Sequence, residues 1–207
     1  EQTYKNFEII IVDNKSTDKT IEKLKSFKVN KIISINDYFP GKALNYGIKK
    51  SKGQLLVFLS AHCIPTNNLW LQTLVTTMLS NKKYAGVYGR QEPMSFSKPS
   101  DKRDLMLIFG LDKKIQRKDS FFHNANSIIR KDVWLKNKFN EKVTNIEDRI
   151  WAQEVINKKF LIAYEPNASV YHYHGINQNG NSERLHGVVK VIEKNYKKNS
   201  FGKLNPQ

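Results

Sequence analysis

Gln54-Leu55-Leu56-Val57-Phe58-Leu59-Ser60-Ala61-His62-Cys63-Ile64-Pro65 is the stretch whose reading decides the fold. It is apolar from Leu55 to Leu59, turns polar at Ser60 and His62, and meets Pro65, which forbids simple continuation. A short unbroken apolar run suits a strand buried on both faces, as in a parallel sheet covered by helices. In open α/β sheets ligands sit beyond the carboxyl ends of such strands, where Ser60, Ala61, His62 and Cys63 emerge.

Working outward, the N-terminal side repeats the pattern. Phe7–Val12 is a β-branched run ending at Asp13, and Asn14 to Asp18 carries loop and helix-cap chemistry. Asp18 favours the positive start of a helix whose Ile21 and Leu24 face inward. Lys31–Asn36 reads as a further strand. Pro40 and Gly41 open a helix to about Lys52, with Ala43, Leu44, Gly47 and Ile48 on one face, and Gly53 ends it. Strands alternating with helices make successive βαβ units. The expectation is an α/β fold with a mostly parallel central sheet flanked by helices.

On the C-terminal side the periodicity predicts helices over Asn67–Lys82, Leu105–Leu111, Lys131–Lys136 and Ile146–Asn157. Strands are predicted over Tyr84–Arg90, through Ser127-Ile128-Ile129, and over Phe160–Tyr164 and Ser169–Tyr173. Asp112–Ser120 reads as a polar, basic, mobile loop, and Ser182–Lys198 as a basic helix with Leu185, Val188, Val189 and Ile192 on one side. With no internal repeat or linker, residues 1–207 are expected to form one domain, with 180–207 as a basic C-terminal helix and tail.

Composition narrows the function. At 39% hydrophobic and 26% charged residues the chain is globular, not disordered. No apolar run approaches the roughly eighteen residues of a spanning helix. Glu1-Gln2-Thr3-Tyr4 has neither Met nor a signal-peptide pattern, so the chain is expected to begin in mid-protein. The single Cys63 excludes an internal disulfide and suits a reducing cytoplasm. A net charge of +16 points to an anionic membrane surface, nucleic acid or a phosphorylated ligand, or simply to a Lys-rich solvated surface. The absence of a zinc-ligand pattern and of an RNA-recognition motif argues against nucleic acid.

Four polar clusters fall at strand ends or helix starts. Asp13 and Asp18 are placed either to accept hydrogen bonds from a base or ribose, or to cap a helix. Lys42 and Asn45 are placed for phosphate or base edges. Ser60 and His62 lie two residues apart, on one face if extended, and His172 and His174 repeat that spacing at another strand end. Imidazole binds a divalent transition ion such as Mn²⁺ and suits Mg²⁺ poorly. Glu147-Asp148 opens a helix, where carboxylates either cap the N-terminus or serve as a general base. Trp151 reads as core in preference to a sugar-stacking platform, and Cys63 as a small buried filler.

Together these residues resemble the family 2 glycosyltransferases with the GT-A fold, the nucleotide-diphospho-sugar transferase type. The resemblance rests on Gln2–Asp13 with Ser16–Thr20, on Pro40–Ile48 with Lys52-Gly53, and on Ser127–Arg130, Phe139–Glu141 and Ile146–Asp148. It ends with Val170-Tyr171-His172-Tyr173-His174. It implies inverting transfer from a nucleotide-diphosphate sugar to a hydroxyl of a glycan or lipid-linked acceptor in surface-polysaccharide synthesis. The location implied is cytoplasmic, peripheral on the inner face of the membrane. By it, Asp13, Asn14, Asp18, Lys42, Asn45, Ser60 and Ala61 hold the nucleotide, and Asp148 is the catalytic base with Glu147 in support. His62, His172 and His174 hold a divalent cation, Mn²⁺ before Mg²⁺. The family's Asp-X-Asp falls at Ser60-Ala61-His62, so both carboxylates are replaced. The family's opening strand would precede Glu1, which predicts an exposed edge or a gap in the sheet. Both departures favour an alternative, a non-catalytic sugar-nucleotide or glycan-binding module of the same fold.

Overall fold

A computed structural model describes residues 1–173 together with 186 and 189. In chain order the elements are β1 (Ile10–Asp13), α1 (Thr20–Leu24), β2 (Lys31–Ser34), α2 (Pro40–Lys50), β3 (Leu55–Leu59), β4 (Cys63–Pro65) and α3 (Trp70–Leu79). They continue as β5 (Tyr84–Pro93), α4 (Pro99–Ile108), β6 (Lys114–Gln116), β7 (Asn126–Arg130), α5 (Lys131–Lys136), α6 (Glu147–Asn157) and β8 (Leu161–His172). Apart from 186 and 189, the predicted helix over Ser182–Lys198 and the tail 180–207 lie outside the described residues, as does His174.

The main sheet runs β3-β7-β5-β8-β4, with β6 paired to β8. β7 is antiparallel to both β3 and β5, and β5 is parallel to β8, so β3, β5 and β8 share one direction. The α/β class holds, with a sheet more mixed than successive βαβ units imply. The cause lies at the end of β3. There the Ser60 amide donates to the Ala125 carbonyl at 3.0 Å, so the chain re-enters at the carboxyl end of β3 and runs back along it as β7. Two further corrections concern short elements. Asp112–Ser120 is not simply a loop, because β6 within it pairs with β8. The two C-terminal strands are one, β8, whose pairing with β5 shifts register between Gly89 and Gln91.

β1 and β2 pair in parallel, Ile10 opposite Lys31, as a βαβ unit requires. They form a separate two-stranded sheet. Ile9–Val12 and Leu55–Leu59 line the same cleft, of about 2150 Å³. β3 is therefore not buried on both faces as its apolar run predicts, and Leu59 is 42% exposed. Glu8 links the two sheets by accepting the amides of Lys52 and Gly53, just before β3. The Lys52 amide is the main reason the Glu8 carboxyl is held below its usual range.

Two apolar clusters cover the sheet. Successive residues split between them (Val87 and Tyr88, Ile128 and Ile129, Ile162 and Ala163), as side chains alternating across a pleated strand must. Trp151 is buried in one cluster, as the sequence reading has it, and donates to the Asn137 carbonyl at 2.8 Å. α2 seats against the 139–141 segment at Gly41, where an added Cβ would lie 2.1 Å from the Asn140 carbonyl oxygen. Gly41→Ala is expected to lower stability by about 1–3 kcal/mol through overpacking, read as a fall in the urea midpoint.

Candidate active site

The polar turn after β3 is closed by the Cys63 amide donating to the Ser60 carbonyl at 2.9 Å. β4 then pairs antiparallel with the end of β8, Cys63 opposite His172, and the Tyr173 amide donates to the His62 carbonyl at 3.0 Å. This pairing joins two groups more than one hundred residues apart in the chain. The His62 and His172 rings stack with centroids 5.1 Å apart and planes at 25°. Ser60 Oγ lies 2.8 Å from His62 Nε2. His123 joins the group edge to face, 6.3 Å from the His172 ring. Cys63 is buried beneath, its thiol pushed up to about 12 by desolvation, so it is a filler and no nucleophile.

The segment His123-Asn124-Ala125 bridges this turn to α6. The Ala125 carbonyl accepts from Ser60, and the Ala125 amide donates to His123 Nδ1 at 3.2 Å. The Asn124 amide donates to Asp148 Oδ2 at 3.1 Å, and Asn124 Nδ2 lies 3.4 Å from Glu147 Oε1. Asp148 Oδ1 accepts the Arg149 amide at 2.8 Å. Ile146, immediately before the two carboxylates, has φ 60°, the left-handed region that a β-branched residue avoids at a cost of about 1–2 kcal/mol. Strain held at such a point sets the direction in which α6 leaves and hence where its first carboxylates lie. Ser60, Ala61, His62, His123, Asn124, Glu147, Asp148 and His172 all line the cleft that continues between β1 and β3.

The other candidates lie outside this lining. Asp13, at the end of β1, is buried and accepts both the amide and the hydroxyl of Ser16. Asn14 is exposed. Asp18 is exposed and accepts the Thr20 amide at 3.0 Å; hydrogen bonds from the Thr20 side chain and amide lower its pKa. Lys42 is half-buried and lies 3.4 Å from Asp37. Asn45 corrects the sequence reading. It is 1% exposed, and its amide nitrogen donates to the Phe139 carbonyl and Glu141 Oε1, both at 2.9 Å. Its oxygen accepts from Trp134 Nε1 at 2.8 Å and the Phe139 amide at 3.2 Å. All four of its hydrogen-bonding positions serve the fold, leaving none for a nucleotide.

His123 and Asn124 escape the sequence reading because no periodicity marks them. Their signal is a polar His-Asn-Ala-Asn immediately ahead of an apolar strand, at a strand's opening end. Asn126 is a second structural amide, accepting from Trp70 Nε1 at 2.9 Å and donating to the carbonyls of Arg90 and Ala168. His62 and His172 offer two imidazoles side by side. Among the described residues, no group of three His, Cys, Asp or Glu is arranged to hold a metal ion. The donor set therefore fits a cation only if a ligand such as a diphosphate completes its shell. Nor, among the described residues, is any helix long and apolar enough to cross a membrane.

The sequence profile of Glycosyl transferase family 2 matches residues 1–136. An Escherichia coli UDP-Glc:alpha-D-GlcNAc-diphosphoundecaprenol beta-1,3-glucosyltransferase is 40% identical over 84 residues, covering 39% of this chain and 30% of the relative. A Salmonella anatum O-antigen chain rhamnosyltransferase is 27% identical over 186 residues, covering 84% of this chain and 59% of the relative. The chain thus spans less than two thirds of either relative's length. Among solved structures, a Pyrobaculum calidifontis mannosyltransferase in complex with GDP-Man and Mn²⁺ superposes with a TM-score of 0.72 at 15% identity. That match covers 99% of this chain and 59% of the other, and it shows a shared GT-A fold.

Proposed function

The chain belongs to glycosyl transferase family 2, and from that premise we propose that it transfers a sugar with inversion from a nucleotide-diphosphate sugar to an acceptor hydroxyl. The observation that carries this reading is the meeting of the turn after β3, the end of β8 and the start of α6 around one cleft. In the proposed reaction the acceptor oxygen attacks the anomeric carbon as the nucleotide diphosphate leaves with the bonding electrons. The hydroxyl proton passes to Asp148. Asn124 orients that carboxylate through its backbone amide, and Glu147 supports the site through the Asn124 side chain.

Ser60 and Ala61 are assigned to the ribose and diphosphate side, with Asp13, Asn14, Asp18 and Lys42 toward the base and phosphates. A divalent cation, Mn²⁺ in preference to Mg²⁺, would be held by His62 and His172 and would offset the diphosphate charge. His174 remains a candidate third ligand by its sequence spacing. The two relatives are named for glucosyl transfer to a diphosphoundecaprenol-linked sugar and rhamnosyl transfer to O-antigen. They support a glycan or lipid-linked acceptor in surface-polysaccharide synthesis. A place at the cytoplasmic face of an anionic membrane is proposed from the net charge of +16 alone. Residues 1–207 are taken as one domain with a basic tail.

Thermal melts with UDP-, GDP- and dTDP-sugars, with and without Mn²⁺, test this reading. One donor class should stabilise the chain by about 2–3 kcal/mol at a hundredfold excess over Kd. His62→Ala is expected to remove the Mn²⁺-dependent part of that gain. No shift with any donor would refute the assignment, and a Mn²⁺ effect intact in His62→Ala would refute the cation site.

A further inference from the structure

Leu105-Met106-Leu107-Ile108-Phe109-Gly110-Leu111 has no polar side chain, yet the core uses only part of it. Asp101 and Leu105 on α4 and Phe109 at its C-cap, spaced four apart, are buried against the molecule. Arg103, Met106 and Leu107 occupy the opposite face by i, i+3, i+4 spacing, and Leu111 follows beyond the helix end. Met106, Leu107 and Leu111 are 64%, 75% and 71% exposed. A helix apolar on both faces has a second surface to cover.

We propose that this outer face of α4 docks on an anionic lipid bilayer. From Lys98 to Lys118 there are seven basic and three acidic residues. Of the acids, Asp101 is buried and Asp104 pairs with Arg103 at 2.8 Å, while Lys113 pairs with the buried Glu165 at 2.6 Å. That leaves Lys98, Lys102, Lys114, Arg117 and Lys118 as the bordering cations. An apolar stripe bordered by cations matches acyl chains beneath anionic headgroups. A second copy of a chain carrying +16 would meet the same charge on itself. The inner side of α4 places Phe109 6.3 Å from the His123 ring, so a docked α4 sets the candidate cleft close to the bilayer. The docking deepens the membrane partner proposed above and does not itself require transfer activity.

Sedimentation of the 207-residue chain with phosphatidylcholine vesicles, with and without phosphatidylglycerol, tests this. The chain is expected to bind only the anionic vesicles and to release as salt rises from roughly 0.1 M to 1 M. Leu107→Glu with Leu111→Glu, both at exposed positions, is expected to weaken binding about tenfold or more, with the melting temperature unchanged. Equal binding by the variant overturns the face while leaving the membrane partner standing. No binding by the unaltered chain overturns both. A dimer by light scattering that the variant dissolves overturns the lipid in favour of self-association. Vesicle binding without sugar transfer would count against the transferase reading alone.

Discussion

Asp148→Asn is expected to lower sugar transfer by about 10²–10⁴-fold in kcat, with the donor KM little changed. The carboxylate lies at the start of α6, its two oxygens accepting the Asn124 and Arg149 amides at 3.1 and 2.8 Å. Those contacts hold the carboxylate in one orientation at the cleft. The amide replacement is nearly isosteric but cannot take the acceptor proton. It also gives up one of the two accepted bonds, at a cost of about 1 kcal/mol, so nucleotide-dependent stabilisation is measured alongside turnover. Loss of turnover with retained nucleotide binding supports the base. Turnover equal to that of the unaltered chain would remove Asp148 from the chemistry. An unaltered chain that binds donor but transfers nothing would favour the binding-module reading.

Asn45→Ala is expected to cost about 3–5 kcal/mol, a large share of a typical domain's stability. The truncation strands Trp134 Nε1 and both backbone groups of Phe139, all of them buried. Glu141 is exposed and loses less. At this chain length the loss corresponds to a melting temperature lower by roughly 10 °C. Lys42→Ala, in the same helix turn but with its ammonium meeting only the exposed Asp37, is expected to change stability by less than about 0.5 kcal/mol. Melts of both variants separate the two roles. Asn45→Ala melting within about 2 °C of the unaltered chain would return Asn45 to the pool of possible ligand contacts.

The long apolar runs and their periods were legible because each obeys a local rule. β1, β2, α2, β3 and α5 fall where propensity and pattern place them, and the α/β class follows from their alternation. β4 and β6, each of three residues, were not legible, because three residues carry no period. Yet β4 is what carries His62 to His172. Asn45 misled for a related reason. A polar residue at a helix start reads as available for a ligand, and only burial shows that its amide is spent on a segment more than ninety residues away.

The sequence by itself determined the family, the α/β class, the helix start at Glu147-Asp148 and the polar end of β3 at Ser60-Ala61-His62. These depend on residue identity and short-range periodicity, which the chain displays in one dimension. The tertiary structure decided which strand ends meet, that His123-Asn124-Ala125 links the turn after β3 to Asp148, and that β1 and β3 face a shared cleft. Each of those depends on pairings between distant segments, whose register is set by packing across the sheet and not by any local preference.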